Sequence, residues 1–559
     1  MLRSLVFAGL VFNVGARPRL ELKLARWTGE SSSCDLAVLQ GYASPPVARA
    51  GRAGNVTVEV SLSAGCAGAP PAGLTATIEL PPDFAPLAPT LSTLLDGVLV
   101  LTWQGVVAPA PGPVAGNALV TLSAPSGATA TANFSVTWIK ALSAPVPQTR
   151  YAPPPAVPDT GTYEIHVIAC PIWAGRKAWS PLLPFREREP ALSFYDDGDP
   201  RVVDWQLSWL LTAGVKVTWI VWYRQLGNNG ETPVLATLDH WLRRGFLGGQ
   251  SRYAPQMQFA ILWDNQNSCC AGLGSNSTSA RDDLLDNLVP FWIGQYLNRD
   301  NYFRTSGFAF ESAAPPAPVI GIFDADTFVA DLGGPAAALS ALGAADALAK
   351  SRGLPGLRFA AQWCWGDTSE TRPVQAEAGF AFSFGYHWPT FSVLAEGVPG
   401  GLRPDARGML EIEPNCSAGQ DLFSSAAAIP NIQTISPSWD DRPWNPLPGN
   451  SNRLWKADAL SYAAAALAAR SELDARRAQP FSPPLRGTAL FVDNLDEFGE
   501  GHFVSPHREL GFAQLAALRA AFAGVGDEDV FLLPEDVGLP FDEFTTCFAS
   551  GSDAPECTQ

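Results

Sequence analysis

The feature that most constrains the fold of this 559-residue chain is a series of eight short apolar runs, which starts at Tyr163 and alternates with segments of helical period. Strands buried on both faces read as continuous apolar runs, and alternation with helices implies parallel pairing. The pattern predicts a (β/α)8 barrel, with an open doubly wound sheet as the alternative. The runs are YEIHVIA (163–169), VKVTWIVW (215–222), QFAILW (258–263), PVIGIF (318–323), LRFAAQW (357–363), GFAFSF (379–384), NIQTIS (431–436) and GTALFV (487–492).

A different pattern occupies residues 28–142, where short runs such as NVTVEVSLS and TANFSVTW alternate apolar with polar residues. Strands at this spacing predict a small all-β sandwich of immunoglobulin-like type. A Pro-rich linker at 143–160 separates the sandwich from the barrel at 161–533, and a tail follows at 534–559. Because the linker isolates the sandwich, we expect the barrel to fold and to keep its chemistry without it.

Residues 1–16 have the features of a secretory signal peptide, with Arg3 before an apolar stretch at 5–14 and small residues at the cleavable end. That stretch is too short to span a bilayer, and no later segment reaches ~18 uninterrupted apolar residues. We therefore expect a secreted or lumenal protein without a membrane span. Four N-glycosylation sequons agree with this route, at Asn55, Asn133, Asn276 and Asn415.

The net charge of −17 argues against nucleic acid or an anionic membrane as partner. The five histidines are scattered and the nine cysteines show no metal spacing. The sequence also lacks a Gly-rich loop of nucleotide-binding type. It therefore predicts neither a cofactor nor a metal, and we expect a monomer.

Tryptophan is concentrated where the predicted strands end, which is where a barrel carries its chemistry. Flat aromatic faces beside carboxylates and amides suit a sugar ring, whose C–H face stacks while its hydroxyl groups form hydrogen bonds. Filling of the core is the alternative for any single ring. The nine tryptophans are Trp173, Trp179, Trp222, Trp263, Trp363, Trp365, Trp388, Trp439 and Trp444.

Polar residues share these strand ends, and together with the aromatic residues they predict a sugar-binding cleft. The partner predicted for this cleft is an oligosaccharide or polysaccharide. The candidate substrate-binding residues are Tyr195, Asp196, Trp222, Tyr223, Asp264, Asn265, Trp363, Tyr386, His387, Trp439, Asp440, Arg442 and His502.

A pair of glutamates follows the eighth predicted strand, within the segment DEFGEG at 496–501. Glu497 and Glu500 are three positions apart in a Gly-containing turn, so both side chains can face one pocket. Hydrolysis of a glycosidic bond needs a protonated acid and a second carboxylate, and two neighbouring carboxylates push their pKa values apart. A solvated turn is the alternative for an isolated E-x-x-E. The strand end and the neighbouring aromatic residues favour a catalytic pair.

The segment ALFVDNLDEFGEGHFVSP (489–506) resembles the N-E-W-x-E-G-x-x-I-E-P motif of glycoside hydrolase family 99-like barrels, which include endo-α-mannosidases and WbsX-type polysaccharide proteins. Three further stretches agree in order with that family, one after the first predicted strand, one on the third and one after the seventh. They are SFYDDGDPRVVDWQLSWLLTAGV (193–215), AILWDNQN (260–267) and ISPSWDDRPW (435–444).

The resemblance implies a role for each glutamate. Glu497 takes the place of the base that acts on the 2-hydroxyl of the sugar, and Glu500 that of the acid/base at the scissile oxygen. The chain departs from the motif at three positions, with Asp496 for Asn, Phe498 for Trp and Ser505 for Glu. An acidic residue at 496 is expected to raise the pKa of Glu497, and loss of the indole removes a donor and stacking area.

The leading hypothesis is thus a retaining glycoside hydrolase that acts on an α-linked, mannose-containing glycan, with assistance from the 2-hydroxyl. A glycan-binding protein that has lost turnover is the second hypothesis. A WbsX-like role in surface polysaccharide assembly is the third.

Overall fold

A computed structural model describes residues 25–29, 32–62, 74–81, 84, 91–95, 98–123, 129–224, 240–266, 272–274, 279–305, 315–363, 371–386, 402–404, 410–412, 429–445, 455–478 and 487–545. The predicted signal peptide at 1–16 lies outside these residues.

The N-terminal part consists of two β-sheets that share one core. One sheet has the order β1-β2-β4-β7-β6 and the other β3-β9-β8-β5, and all pairs except β3 with β9 are antiparallel. Side chains of both sheets meet in the interior, where Trp103 and Trp138 are fully buried. The strands are β1 (Ala25–Gly29), β2 (Ser32–Ser44), β3 (Ala48–Arg49), β4 (Ala53–Leu62), β5 (Thr75–Glu79), β6 (Leu91–Leu95), β7 (Val98–Val107), β8 (Val114–Ser123) and β9 (Thr129–Ile139).

Eight parallel strands form the barrel, and each coincides with one predicted apolar run. Seven neighbouring pairs are laddered, and a parallel bridge between Ser383 and Asn431 joins the two remaining edges. This bridge closes the sheet, so the structure is the predicted (β/α)8 barrel and not an open doubly wound sheet. The strands in chain order are β10 (Glu164–Ala169), β11 (Val215–Tyr223), β12 (Gln258–Asp264), β14 (Ala317–Ile322), β15 (Arg358–Trp363), β16 (Phe382–Gly385), β19 (Gln433–Ile435) and β22 (Ala489–Val492).

Three helices around the barrel begin at an aspartate whose side chain caps the first turn, namely Asp199, Asp324 and Asp458. In Pro200–Ala213, the Asp199 carboxylate accepts the N–H of Arg201, and Gly214 ends the helix with φ +91°. The helices Pro200–Ala213 and Pro335–Ser351 occupy two of the segments of helical period between the predicted strands. The longer helical segments are Pro200–Ala213, 280–297, Ala325–Asp331, Pro335–Ser351, Thr371–Glu377, Ala459–Arg477 and Ala513–Ala523.

Several short strands lie outside the eight-stranded barrel. β13 (Arg304–Thr305) pairs with β14. A separate four-stranded sheet has the order β17-β18-β21-β20, and its strand β20 follows β19 directly in the chain. Its strands are β17 (Leu402–Pro404), β18 (Leu410–Ile412), β20 (Ser438–Trp439) and β21 (Trp455–Lys456).

Aromatic rings fill the interior of the barrel below the mouth. Phe384 and Phe491 stack with their ring centroids 4.0 Å apart, and Trp219 lies against both. The Trp219 indole donates a hydrogen bond to Nδ1 of His166. The barrel is therefore a packed core, and its side chains at the carboxyl ends of the strands are the ones free for chemistry.

The sandwich is held to the barrel by buried polar contacts. Arg49, which is 2% exposed, bonds the Asp536 carboxylate at 2.7 Å and the carbonyl oxygen of Phe531 at 2.6 Å. The Tyr42 ring lies under the guanidinium groups of Arg186 and Arg508, which belong to the barrel. These contacts oppose the expectation that the barrel folds without the sandwich.

Among the described residues, no single helix has the length and apolar character needed to cross a membrane, although the bent pair Ala325–Asp331 and Pro335–Ser351 passes on length and composition alone.

Candidate active site

The segment that follows β22 folds into a tight turn stabilised by an antiparallel bridge between Glu497 and His502. Two glycines are required in it. Gly501 has φ +76°, and a Cβ atom on Gly499 would lie 1.9 Å from the Trp444 ring. The Gly-containing pattern therefore allows the turn to pack directly under an indole.

Glu497 is 3% exposed and faces the interior of the mouth. Its Oε1 accepts a hydrogen bond from the Trp444 indole N–H at 3.3 Å. Burial, followed by the negative charge of Glu500, raises the pKa of Glu497 to about 8. The two glutamates thus form an interacting pair that keeps a proton in neutral solution.

Glu500 is the more accessible member of the pair, with a side chain 19% exposed. Its Oε2 accepts two hydrogen bonds, from the Tyr386 hydroxyl at 2.7 Å and from Nε2 of His502 at 2.9 Å. Its backbone carbonyl accepts the N–H of Asp440 at 2.6 Å. Three contacts therefore fix Glu500 at the mouth, and none of them uses Oε1.

His502 lies fully buried between two carboxylates. Its Nδ1 is 2.8 Å from Oδ2 of Asp493, and its Nε2 faces Glu500. Burial alone lowers the pKa of His502, but Asp493 and Glu500 outweigh burial and raise that pKa to about 10. Both ring nitrogens are engaged, which leaves neither of them for the sugar contact predicted at His502.

Asp440 is a buried junction for two arginines. Arg188 and Arg442 both pair with its carboxylate, and Arg188 also donates to the carbonyl oxygen of Phe498 at 2.9 Å. Burial alone raises the pKa of Asp440, but the arginines outweigh it and lower that pKa to about 2. Asp440 and Arg188 therefore tie the turn after β20 to the glutamate turn, whereas Arg442 pairs with Asp440 within its own turn.

At the end of β12, Asp264 and Asn265 have different surroundings. Asp264 is buried, and burial raises its pKa to about 7. The Asn265 amide makes two hydrogen bonds with the backbone of Asp324, donating at 2.9 Å and accepting at 2.8 Å. Asn265 thus holds the start of the next helix, whereas Asp264 adds a titratable carboxyl near Glu500.

Cys170 and Asp496 are two buried residues that the sequence interpretation did not assign to the site. The backbone N–H of Cys170 donates to Oδ1 of Asp496 at 2.7 Å, and the Cys170 Sγ lies 3.8 Å from the Tyr223 hydroxyl. Burial raises the pKa of Asp496 to about 7. The Asp496 carboxyl therefore points to the end of β10. The pKa of Glu497 is raised by burial and by the charge of Glu500, and not by Asp496 as the sequence led us to expect.

Tyr195 and Asp196 lie beside Trp179, whose indole N–H donates to the carbonyl oxygen of Tyr195 at 2.8 Å. Tyr195 is 1% exposed and its hydroxyl accepts a hydrogen bond from Gln206. Asp196 is partly exposed and pairs with Arg244 at 2.7 Å. Burial alone raises the pKa of Asp196, but His240 and the other donors lower it to about 2. Of the two, Asp196 is the residue that solvent reaches.

One group of described residues has the donor atoms for a cation. Ligand atoms of Asp196, Asp197 and His240 lie within 4.8 Å of one another. Arg244 already supplies a positive charge to Asp196 there. The negative charge of this group is therefore partly balanced by the Arg244 side chain.

Most of the described tryptophans at the strand ends are buried and do not form an open surface. Five of the six with described side chains are no more than 2% exposed, and Trp444 alone is partly exposed. Trp222 packs on Phe291 and Trp292 in the core, which argues against the predicted sugar contact there. Trp439 packs beside His502 with ring centroids 5.0 Å apart. The buried five are Trp173, Trp179, Trp222, Trp263 and Trp439.

Four predicted residues lie wholly or partly outside what the structure describes, namely Trp365, His387, Trp388 and the side chain of Trp363. Among the residues that the prediction missed, Cys170 and Asp493 directly follow β10 and β22. Their position at a strand end was a signal that could have found them. Arg188 ends a short 3-10 helix (Arg186–Arg188), and nothing in its sequence context marked it.

The fold and the site define a (β/α)8 barrel with a carboxylate pair at the end of its eighth strand. No family model matches the chain, and no curated protein matches its sequence. Two structures of an endo-α-mannosidase of glycoside hydrolase family 99 from Bacteroides thetaiotaomicron are similar, at 14% and 13% identity and TM-scores of 0.41 and 0.42. Each match covers 66% of this chain and 97% of that enzyme.

A family 5 xyloglucanase from Bacteroides ovatus is also similar, at 11% identity and a TM-score of 0.31, covering 86% of this chain and all of that one. The first two structures belong to the family that the sequence motifs resemble. At TM-scores this low, the barrel assignment rests on the chain's own strand order.

Proposed function

We propose that the protein is a glycoside hydrolase in which Glu497 and Glu500 are the catalytic pair. The observation that carries this proposal is the asymmetry of the pair. Glu497 is buried under an indole with a raised pKa, whereas Glu500 is partly exposed and is oriented by two donors. Glycoside hydrolysis needs one carboxyl that holds a proton and one carboxylate close to it.

The pair interacts strongly enough that its protons belong to both groups. With the pKa of Glu497 raised to about 8, the pair carries one proton at neutral pH. One shared proton is the ionisation state that an acid and base working together require. The roles that the resemblance implies require this proton on Glu500, which gives it to the departing glycosidic oxygen, and an ionised Glu497, which accepts one from the hydroxyl that attacks. Because burial favours the proton on Glu497, that proton must move from Glu497 to Glu500 before the reaction.

The substrate we propose is an α-linked, mannose-containing glycan, cleaved with retention and with assistance from the 2-hydroxyl of the sugar. Four sequence stretches that resemble family 99-like barrels support this choice. The apolar stretch at 5–14 and the four sequons support a secreted or lumenal protein. The sandwich then serves as a support for the barrel, to which it is joined through Arg49.

A second candidate is a glycan-binding protein without turnover, which one observation favours. Glu497 keeps its proton up to about pH 8, and a protonated carboxyl cannot activate a hydroxyl. In that case the site would retain a glycan and release it unchanged.

Incubation with a panel of mannans and mannose-containing oligosaccharides, followed by sizing of the products, tests the two candidates. We expect shorter products from the wild-type chain and none from Glu500→Gln, which keeps the shape of the side chain. Glu377→Gln makes the same replacement at an exposed glutamate at the end of the helix Thr371–Glu377 and should still give products. Binding without any cleavage by the wild-type chain would support the second candidate.

A further inference from the structure

Two donors on the same oxygen decide where Glu500 can carry a proton. The Tyr386 hydroxyl and Nε2 of His502 both bond Oε2, at 2.7 and 2.9 Å. A carboxyl oxygen that accepts two hydrogen bonds is poorly placed to hold a proton as well. The proton of Glu500 therefore belongs on Oε1.

The partners of His502 define its charge. Oδ2 of Asp493 faces Nδ1 and Oε2 of Glu500 faces Nε2, so an acceptor oxygen lies at each ring nitrogen. Only the imidazolium donates from both nitrogens. Ser436 donates to the same Asp493 oxygen at 3.1 Å, which keeps that carboxylate fixed.

We propose that His502 is a positioning residue, held as an imidazolium by Asp493, which directs the proton of Glu500 to Oε1 and stabilises the carboxylate left when that proton departs. This inference rests on the proposed function and adds a residue to it. When Glu500 protonates the glycosidic oxygen, the bond from Oε1 to hydrogen breaks and negative charge develops on the carboxyl. A fixed positive charge on Oε2 lowers the free energy of that state.

Other aromatic and titratable groups surround His502. Glu497 lies across the turn, and the phenol of Tyr386 packs edge-on to the imidazole with centroids 4.8 Å apart. Trp439 covers another face of the ring. The groups near Glu500 and Asp493 that can also titrate are Asp264, Asp441 and Tyr462. The carboxyl groups among them favour the imidazolium when they are ionised, whereas burial keeps the hydroxyls of Tyr386 and Tyr462 neutral.

The charge of His502 can be measured without turnover. We expect ¹⁵N NMR spectra of the imidazole nitrogens at pH 7.5 to show His502 with both nitrogens protonated, assigned by the signal that His502→Gln removes. In Asp493→Asn, the same ring should titrate within the usual histidine range. A neutral ring with one bare nitrogen in the wild-type protein would overturn the proposal.

Kinetics then test the positioning role. His502→Gln should lower kcat on the glycan by about tenfold or more with little change in KM, because the charge acts in the transition state. The basic limb of the pH profile should move to higher pH. His240→Gln makes the same replacement at a histidine outside the group Asp493, His502 and Glu500, and it should leave the basic limb in place.

If His502→Gln leaves the basic limb of the pH profile in place and changes KM and kcat together, the role of His502 is merely structural. Failure of the proposed function has a different signature, because no glycan would be cut by the wild-type chain while His502 still shows two protonated nitrogens.

Discussion

The indole nitrogen of Trp444 lies 3.3 Å from Oε1 of Glu497, and the Trp444 ring stacks on Trp173 with centroids 5.8 Å apart. Phe498 occupies the position at which the resembled motif has a tryptophan. An indole donor therefore reaches the glutamate from the turn after β20 and not from the glutamate turn itself. This contact supplies the donor and the stacking area that the sequence had led us to regard as lost.

Replacement of Trp444 by phenylalanine should weaken catalysis while preserving the packing. The aromatic ring can still stack on Trp173, but the hydrogen bond to Glu497 is removed. We expect kcat/KM to fall by roughly three- to tenfold, in keeping with about 1 kcal/mol for one hydrogen bond. Steady-state kinetics with a matched thermal unfolding curve give the answer. Unchanged kinetics would mean that the indole N–H does not serve Glu497.

Activity should fall as the pH rises through about 8. Burial and the charge of Glu500 raise the pKa of Glu497 to about 8, so the pair keeps its last proton up to that pH and loses it above. A pair without a proton has no acid for the leaving oxygen. The check is the dependence of kcat/KM on pH between 5 and ~10. A plateau that continues to the basic end of this range would contradict the shared-proton state.

Asp496→Asn should make stability less dependent on pH. Burial raises the pKa of Asp496 to about 7, whereas the unfolded group titrates near ~3.9. Between these values the folded state holds a proton that the unfolded state has lost, so stability falls as the pH rises through this window.

The cost removed by the asparagine is of the order of 2–4 kcal/mol at pH 8, and near zero at pH 4, where both forms are neutral. Tm measured from pH 4 to ~8 should therefore drop less in the variant than in the wild-type protein. Parallel curves for the two proteins would show that Asp496 is not a buried titrating group.

Arg49→Ala should destabilise the whole chain. Arg49 is 2% exposed, and its loss leaves the Asp536 carboxylate and two backbone carbonyl groups without their buried donor. Removal of one partner from a buried ion pair costs about 3–5 kcal/mol.

Arg52→Ala is the matched control, because Arg52 pairs with the same carboxylate from a side chain that is 42% exposed. We expect that change to cost about 1 kcal/mol or less. A chain shortened to begin at Asp159 should likewise unfold more easily than the full chain. Equal stability of the shortened and full chains would restore the expectation of an independent barrel.

The barrel could be predicted because strands buried on both faces must be apolar along their whole length. All eight runs therefore coincide with strands, even the three-residue β19 (Gln433–Ile435). Closure of the sheet depends on a bridge between Ser383 and Asn431, which neither segment reveals alone. The glutamate turn was found because its acids follow a strand directly.

The surroundings of the pair were harder to predict. A tryptophan at a strand end is compatible with a cleft or with the wall behind it, and Trp222 proves to be wall. His502 looks like a sugar contact in the sequence because Asp493, nine positions before it, shows no sign of meeting its ring. Arg188 reaches Asp440 across 252 positions, a contact that only the folded chain creates.

The central claim assigns the acid role to Glu500 and the base role to Glu497, and the leaving group separates the two. Glu500→Gln should lose activity on a glycan yet keep much of its rate on a glycosyl fluoride, which departs without full proton donation. Glu497→Gln should lose both reactions, because a better leaving group does not compensate for an attacking 2-hydroxyl that is no longer activated. The decisive measurement is the rate of fluoride release by the two variants beside the wild-type chain. Substantial release by Glu500→Gln alone is the result we predict. Equal loss in both variants, or wild-type release by Glu497→Gln, would contradict the assignment.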